Sequence, residues 1–362
     1  MRKQNHNLSI LATGADIKSR FCISKDGKVS VSREFGNLEY LDNLRRFKND
    51  LLRKKINPDI VAYDLHPAYF SSQLAMSLNV QRKFAVQHHH SHIASLMLAK
   101  NIKHKVIGVA FDGTGYGTDG NLWGGEFLVV DSRGFRRAGH LDYIRLPGGE
   151  AAIKEPWRIA FSILYDCFDK RILKENLELL RIATKQNYQI LIKMLENNIN
   201  ITLSSSAGRL FDAVSSILGI CQKVSFEAQA AIELEQCASK SSDRELYNFD
   251  IIKEASTYKI GYKNLLECLL SDLAKGKKKE VIARRFHNSL AHLIGITIEK
   301  IYKEEEVKDV ILSGGVFQNK LLYYLTKQKI KDMGFNLLGD EQVPVNDLSI
   351  CLGQLYVAQN SK

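Results

Sequence analysis

Short apolar runs alternate with amphipathic stretches through the first third of the chain. Strand-like runs lie at residues 8–14, 20–25 and 29–33. A turn at Lys25-Asp-Gly27 separates the last two runs, so together the three predict an antiparallel meander. The stretch 38–55 is amphipathic with charged flanks, which predicts a helix, and the apolar run at 58–63 predicts a buried strand after it.

The strand pattern then begins a second time. Residues 105–111 form a continuous apolar run that ends at Asp112, and a glycine-rich segment follows over 113–120. Two further strand-like runs, at 122–131 and 135–143, complete a second meander. Two lobes that each open with such a meander predict an α/β fold of the duplicated nucleotide-binding kind.

After Pro156 the pattern becomes mainly helical. The predicted helices cover 207–218, 226–237, 265–274 and 281–302, and a strand follows at 309–312. We expect a first lobe over 1–104, completed by the C-terminal helix within 346–362, and a second lobe over 105–345. No linker rich in proline, glycine or serine separates them, which favours one interlocked unit.

Composition narrows the functional classes. The chain has 362 residues, of which 45% are hydrophobic, enough for a large core. No apolar run reaches the roughly 20 residues that span a bilayer, and the N-terminus leads into a strand-like run instead of a signal peptide, so we expect a cytoplasmic protein without membrane contact. The six cysteines form no CxxC pair and are expected to be buried, reduced thiols. A net charge of +11 favours anionic ligands or acidic protein partners, and supports nucleic-acid binding only weakly.

Four of the ten histidines lie within Val86-Gln-His-His-His-Ser-His92. On a helix, His88 and His92 lie one turn apart and face the same way, which suits two imidazoles on one metal ion. A histidine-rich surface turn is the alternative. Asp112, at the end of a buried strand beside a glycine-rich turn, would complete a two-histidine, one-carboxylate set with open positions. Asp347, just before the last predicted helix, is a second candidate carboxylate, although an acid at such a position is more often an N-cap.

The segment Ser313-Gly-Gly-Val-Phe-Gln-Asn319 follows a predicted strand and opens a helix. Its backbone N–H groups could receive a phosphate or nucleotide, although any tight strand-to-helix turn can contain two glycines. The P-loop pattern GxxxxGK[ST], the zinc-protease pattern HExxH and the hydrolase pattern GxSxG are all absent from the sequence.

Several longer motifs follow one another in the order that is typical of one protein family: VQHHHSH, AFDGTGYGTDGNLWGGEF, LPGGEAAIKEPWRIA, GRLFDAVSSILG, FEAQAAIELE, SGGVFQN and PVNDLSICLGQ. With them the chain closely resembles the C-terminal catalytic domain of the HypF hydrogenase-maturation carbamoyltransferases. It is more distantly similar to the TsaD tRNA threonylcarbamoyl transferases and the TobZ-type O-carbamoyltransferases. The resemblance implies the ASKHA superfamily, whose actin-like lobes are duplicated.

The resemblance also implies site residues. The metal would be bound by His88, His92 and Asp347, with Asp112 as a further ligand or a reaction-centre carboxylate. An adenosine site would include Gly314, Gly315, Asn319, Asp212 and Glu233, the last two accepting hydrogen bonds from ribose hydroxyls. Lys154 and Arg158 would contact phosphate or the carbamoyl group. Imidazole and carboxylate ligands suit both iron and zinc, so the divalent metal stays open between them.

By the same resemblance the protein would be a metal-dependent carbamoyltransferase. It would move a carbamoyl group from carbamoyl-adenylate, with AMP as leaving group, to the C-terminal cysteine of a HypE-like protein, giving the precursor of the cyanide ligands of [NiFe] hydrogenase. An O-carbamoyltransferase acting on a small-molecule hydroxyl and a non-catalytic ATP-binding scaffold remain the alternatives. Transfer to tRNA is disfavoured, because the amino-acid sequences of the motifs are those of the HypF family.

The chain departs from the family at several points. It contains no acylphosphatase-like domain, no paired CxxC zinc motifs and no YrdC-like adenylating domain, so carbamoyl-adenylate would come from a separate YrdC-like protein, or the chain would be a fragment. Leu348 and Ser349 follow Asp347 where the family has two glycines. Ala228 stands where a glycine is usual.

Overall fold

The computed structural model describes residues 8–168, 185–339 and 341–361. A five-stranded mixed sheet forms the first lobe. Its strands are β1 (Ile10–Ala12), β2 (Cys22–Lys25), β3 (Lys28–Val31), β4 (Ile60–Asp64) and β5 (Arg82–Val86). They lie in the order β3-β2-β1-β4-β5. The pairs β1–β2 and β2–β3 are antiparallel, whereas β1–β4 and β4–β5 are parallel.

A larger sheet forms the second lobe. Its strands are β6 (Val106–Tyr116), β7 (Leu122–Asp131), β8 (Gly134–Leu141), β9 (Ile144–Pro147), β10 (Ile201–Ser204), β11 (Asp250–Glu254), β12 (Thr257–Gly261), β13 (Asp309–Ser313) and β14 (Asn336–Leu338). Its central path runs β8-β7-β6-β13-β14. The first two pairs of that path are antiparallel and the last two are parallel.

The two sheets therefore repeat one topology. In each, an antiparallel three-stranded meander is followed by two parallel strands added beside the first strand of the meander. The predicted α/β class and the duplicated two-lobe architecture are confirmed. The boundaries expected at residues 104 and 345 stay a prediction.

The helices cover the sheets and connect them. Within the described residues they are α1 (Leu41–Arg53), α2 (Phe70–Ser77), α3 (His88–Ala99), α4 (Glu150–Lys154), α5 (Pro156–Cys167), α6 (Lys185–Glu196), α7 (Ala207–Ile217), α8 (Gln229–Ala238), α9 (Lys263–Ala274), α10 (Lys279–Glu305), α11 (Lys320–Asp332) and α12 (Ile350–Asn360). Single turns of 3-10 helix lie at Gly315–Gln318 and Asp347–Ser349. The amphipathic pattern of α1 is realised as predicted, because Leu44, Phe47 and Leu51 are its buried residues.

Helices α3 and α12 lie between the two sheets. Apolar side chains of α3, among them Ile93 and Met97, pack on strands β6, β7 and β13. On the other side, Cys351 and Leu355 of α12 pack on β1 and β4. The two helices approach very closely, since a Cβ at Gly353 would lie 1.8 Å from the carbonyl oxygen of Ser91. This layer joins the lobes and positions the N-terminus of α3, which carries the histidines.

The first strand of the second meander is longer than predicted. The apolar run was expected to end at Asp112, but β6 continues to Tyr116 with a register shift against β7 between Phe111 and Gly115. The glycines allow this path, because a Cβ at Gly115 would lie 2.5 Å from Cε1 of His89. Asp112 therefore projects from an irregular strand interior instead of a strand end.

Three short strands occur in the part of the chain predicted to be mainly helical. They are β10, β11 and β12, and the last two form a hairpin whose register pairs Asp250 with Gly261. The hairpin turn contains Ala255 at φ 51° instead of a glycine or asparagine, so the usual turn signal is missing. The helix predicted over 226–237 begins only at Gln229, after Ala228 at φ 61°.

The six cysteines are free thiols. The expectation that all are buried is wrong for three of them: Cys167 and Cys237 are half-buried, and Cys268, on α9, is exposed. Among the helices of the described residues, none combines the length and the apolar character needed to cross a membrane.

Candidate metal and nucleotide site

The histidine run is the buried first turn and a half of α3. The side chain of Gln87 caps the helix by accepting a hydrogen bond from the amide of His90 at 2.8 Å. Helix formation from His88 onward brings His88 and His92 to one face, and neither side chain has any exposed surface. The alternative of a histidine-rich surface turn is therefore wrong.

Two carboxylates face these imidazoles. Nε2 of His88 lies 3.4 Å from Oδ2 of Asp112 and 3.8 Å from Oδ1 of Asp347. Nε2 of His92 lies 3.6 Å and 3.5 Å from the same two oxygens. One ligand atom from each of the four residues falls within 4.8 Å of all the others. Asp347 is thus a member of the cluster, and the cap of its short 3-10 helix is Asn346 instead.

The bonding of the imidazoles fits a metal ion. Nδ1 of His88 bonds Oδ2 of Asp64 at 2.7 Å, and Nδ1 of His92 lies 3.3 Å from Oγ of Ser313. The Nε2 atoms of both rings are buried without a hydrogen-bond partner in the described part of the chain. Because a metal-bound histidine usually donates its other ring N–H to a carboxylate or another oxygen, the residues present fit a divalent cation at the two Nε2 atoms.

Asp64 was not predicted from the sequence. It stands at the carboxyl end of the buried strand β4, where α/β sheets place functional side chains. The same signal that pointed to Asp112 could have found it.

The electrostatics of the cluster are those of two carboxylates and two imidazoles in contact. Burial opposes the charged forms, but the neighbouring carboxylates outweigh it and hold the pKa of His88 well above its ordinary value and raise the pKa of His92. Burial would raise the pKa of Asp112 and of Asp347, but hydrogen bonds from His88 and His92 outweigh it. They hold the pKa of Asp112 well below its usual range and lower the pKa of Asp347. The cluster thus favours positive charge at its centre, as a cation site requires.

The glycine loop is tied to this cluster. The amide of Gly315 donates to Oδ1 of Asp112 at 2.9 Å, and the amide of Gly314 donates to the carbonyl of Val345 at 2.7 Å. Gly314 has φ 102°, and a Cβ there would lie 2.2 Å from the carbonyl oxygen of Phe111. Both amides are therefore used within the protein, and the hypothesis that they bind phosphate gains no support from their bonding.

Asn319 is an N-cap whose side chain is bonded at both ends. Its Oδ1 accepts from the amide of Leu322 at 2.8 Å, and its Nδ2 donates to Nε2 of His287 at 3.0 Å. His287 donates through Nδ1 to the carbonyl of Ala283, and burial lowers its pKa to about 4, so it stays neutral and can accept. A contact between nucleotide and Asn319 stays a prediction.

Asp212 and Glu233 are on α7 and α8, two helices that pack against each other. Burial, then the carboxylates of Glu233 and Asp212, raise the pKa of the Cys221 thiol to about 11. Burial raises the pKa of Asp212 itself to about 6, against the opposing charge of Arg209. Glu233 accepts from Nε2 of Gln229 at 2.8 Å. Both carboxylates thus act on the same thiol, and their contact with a ribose stays a prediction.

Lys154 and Arg158 are bonded locally. Lys154 is exposed and forms an ion pair with Glu150 at 2.6 Å, and Arg158 forms one with Glu155 at 2.5 Å. No hydrogen bond or ion pair of the described residues joins either side chain to the four-residue cluster. Their contact with phosphate or the carbamoyl group stays a prediction.

Comparison with known proteins gives the family. Residues 5–99 match the family model described as "HypF Kae1-like domain", and residues 108–354 match "Carbamoyltransferase, Kae1-like Domain, second subdomain". The "Carbamoyltransferase HypF homolog" of Cupriavidus necator is 34% identical over 366 residues, which cover 96% of this chain and 91% of that protein. This chain belongs to the HypF carbamoyltransferase family. The family resemblance predicted from the motifs is confirmed.

Other HypF proteins are longer. Synechocystis HypF is 33% identical over 363 residues, which are 96% of this chain but 46% of that protein. A crystal structure of full-length HypF "in the phosphate- and nucleotide-bound form" matches with a TM-score of 0.91 and 38% identity, covering 97% of this chain and 55% of that one. HypF of T. kodakarensis matches with a TM-score of 0.88 and 31% identity, over 98% of this chain and 48% of that one. The chain spans about half the length of these three HypF proteins.

Proposed function

We propose that this chain transfers a carbamoyl group from carbamoyl-adenylate to a cysteine thiol and releases AMP. The observation that supports this best is the buried cluster of His88, His92, Asp112 and Asp347, whose unbonded Nε2 atoms face two carboxylates. Asp112 also bonds the glycine loop through Gly315, so the cluster adjoins the segment expected to bind the nucleotide. Family membership agrees with a carbamoyltransferase.

The residues of the chain would act by holding and orienting the reacting groups. A divalent cation, iron or zinc, bound by the cluster would supply Lewis-acid polarisation of the carbamoyl oxygen. Asp64 and Ser313 fix the two imidazole rings through their Nδ1 atoms. Gly315 fixes Asp112 so that its Oδ2 faces the imidazoles. In the reaction the cysteine thiol gives its proton to solvent, a C–S bond forms, the C–O bond to the adenylate phosphate breaks, and AMP leaves with the electron pair.

For the acceptor we propose the C-terminal cysteine of a HypE-like protein in the cytoplasm, in the synthesis of the cyanide ligands of [NiFe] hydrogenase. The net charge of +11 suits an acidic protein partner. We propose that a YrdC-like adenylating unit, either a separate protein or another part of the same one, supplies the carbamoyl-adenylate, because the family models that match residues 5–99 and 108–354 are both of the Kae1-like kind.

The test uses purified protein, supplied carbamoyl-adenylate and two peptides that differ only in a C-terminal cysteine or serine. We expect about one metal ion per chain, transfer to the cysteine peptide, and loss of both metal and transfer in a His88→Ala/His92→Ala variant. His104→Ala is the matched control, because His104 is exposed and pairs with Asp309 outside the cluster. Full transfer by metal-free wild-type protein would contradict the metal role, and preferential modification of the serine peptide would favour a hydroxyl acceptor.

A further inference from the structure

Arg209 is a buried cation in the first turn of α7. The helix begins after Ser206, whose Oγ accepts from the amide of Arg209. Only 8% of Arg209 is exposed. Its Nη1 lies 3.0 Å from Oδ2 of Asp212, the one carboxylate with which it forms an ion pair among the described residues. Its Nε is buried without a hydrogen-bond partner in that part of the chain, and its Nη1 makes no hydrogen bond there besides this ion pair.

This placement is unfavourable for the protein alone. A helix N-terminus carries partial positive charge, so a cation in the first turn is repelled by the helix dipole. A buried guanidinium with unmet donors also forfeits hydrogen bonds that water would have supplied. Arg285 shows how a buried guanidinium is usually accommodated. It is about as buried as Arg209, but Asp243 and Asp272 accept hydrogen bonds from its Nε, Nη1 and Nη2.

The guanidinium lies beside the residue that follows Asp112. A Cβ at Gly113 would lie 3.8 Å from Nη2 of Arg209, and Oγ of Ser206 bonds the carbonyl oxygens of Asp112 and Gly113 at 2.6 Å and 2.8 Å. The start of α7 is thus fastened to the strand that supplies a ligand of the cluster. The first amides of α7, at Ala207 and Gly208, have no acceptor within the helix.

Three features therefore converge at this point of the site: a buried cation with free donors, a helix N-terminus and a strand without side-chain bulk at Gly113. The cation and the helix N-terminus favour an anion, and Gly113 leaves room for it. The glycine loop does not compete for that role, because the amides of Gly314 and Gly315 are already bonded within the protein.

We propose that Arg209, at the N-terminus of α7, binds the phosphate of the adenylate. This rests on the proposed function. The phosphate of carbamoyl-adenylate gains one negative charge when the C–O bond breaks and AMP leaves, so a cation there stabilises the leaving group more than the substrate. Asp212 then holds the guanidinium from the other side and faces the neighbouring part of the nucleotide.

The test compares AMP with adenosine, which differ only in the phosphate, by isothermal titration calorimetry on the metal-loaded protein. We expect Arg209→Gln to weaken AMP binding about tenfold or more, as for the loss of a charged hydrogen bond, and to leave adenosine binding unchanged. Arg285→Gln is the matched control and should keep the wild-type ratio of the two affinities. A second variant, Asp212→Asn, should raise the ratio of AMP affinity to adenosine affinity, because it frees Arg209 from its competing carboxylate.

Equal loss of AMP and adenosine binding in Arg209→Gln would overturn the assignment, since Arg209 would then only position Asp212. An unchanged AMP affinity would overturn it as well. If Arg209→Gln does not fold, a ratio that stays constant or falls in Asp212→Asn overturns it. Wild-type protein that binds neither compound would instead contradict the proposed function. The failure of the Arg209 assignment can thus be distinguished from the failure of the proposed function.

Discussion

Replacing Asp64 by asparagine tests the proposed metal site through a residue that is not one of its proposed ligands. Both carboxylate oxygens of Asp64 accept hydrogen bonds: Oδ1 from the amide of His66 at 2.9 Å, and Oδ2 from Nδ1 of His88 at 2.7 Å. Asparagine has the same shape but only one acceptor oxygen. The variant must therefore leave one of these two donors facing an NH₂ group.

Either orientation of the new carboxamide group in Asp64→Asn has a defined cost. If its oxygen accepts from His66, its NH₂ group faces Nδ1 of His88, and the ring must move its proton to Nε2, which then cannot bind a cation. If its oxygen faces His88, the half-buried amide of His66 meets another donor. An unsatisfied buried donor costs about 1–3 kcal/mol, or roughly 5- to 150-fold in an equilibrium constant. This brackets the 10- to 100-fold loss of metal affinity that is typical when such a supporting residue is changed.

The assay is a competition titration of Zn²⁺ or Fe²⁺ against a chelator, run beside thermal unfolding of the metal-free protein. Asp272→Asn is the control, because Asp272 is a buried carboxylate that also accepts two hydrogen bonds, from Tyr247 and Arg285. We expect a 10- to 100-fold weaker metal affinity only in Asp64→Asn. Wild-type affinity in a folded Asp64→Asn protein, or an equal loss in the control, would refute the role given to the Asp64–His88 bond.

Three further changes test other parts of the structure. Gly353→Ala places a Cβ 1.8 Å from a carbonyl oxygen of α3. In denaturant titrations it should lower the free energy of unfolding by about 2 kcal/mol or more. Gly261→Ala is the control and should be tolerated, because its Cβ would have only ordinary contacts beyond 3.4 Å. Burial raises the pKa of Asp212 from 3.8 to about 6, so the native protein binds this proton more tightly than the unfolded chain. The wild type should therefore gain up to about 3 kcal/mol over Asp212→Asn as the pH falls from about 6 to about 4, and a pH-independent difference would contradict this. Asn319→Asp keeps the cap of α11 but loses the donor to His287, so NMR titration should show the pKa of His287 rising from its low value of about 4; an unchanged pKa would show that this hydrogen bond is not made.

The residues of the site that sequence reasoning found are those with local spacing or a sequence motif. His88 and His92 follow from helical periodicity, and Asp112 from its place after an apolar strand. Asp347 was a second candidate carboxylate from its position alone, but an N-cap was the favoured interpretation until the family resemblance placed it among the proposed metal ligands. The structure shows why the cap signal misleads here: Asn346, one residue earlier, performs that role.

The residues that were missed depend on tertiary packing. Asp64 reaches His88 because β4 pairs with β5, which leads directly into α3. Arg209 is part of a motif, but its sequence neighbours do not show that its charge is buried with donors unmet. The contact of Asn319 with a nucleotide stays a prediction, but its partner His287 lies on α10 and cannot be found from the glycine loop alone. The hairpin of β11 and β12 was missed because its turn lacks the usual residues.

The position of α12 has a consequence for how the chain folds. The strands of the first sheet are synthesised first, yet Cys351, Leu355 and Ala358, which cover β1 and β4, come from the last helix described. On the ribosome this apolar face of the sheet therefore stays without its native cover until the second lobe has been synthesised. Contacts of such long sequence separation form slowly. During synthesis this uncovered apolar face is thus a site of aggregation that a chaperone would protect.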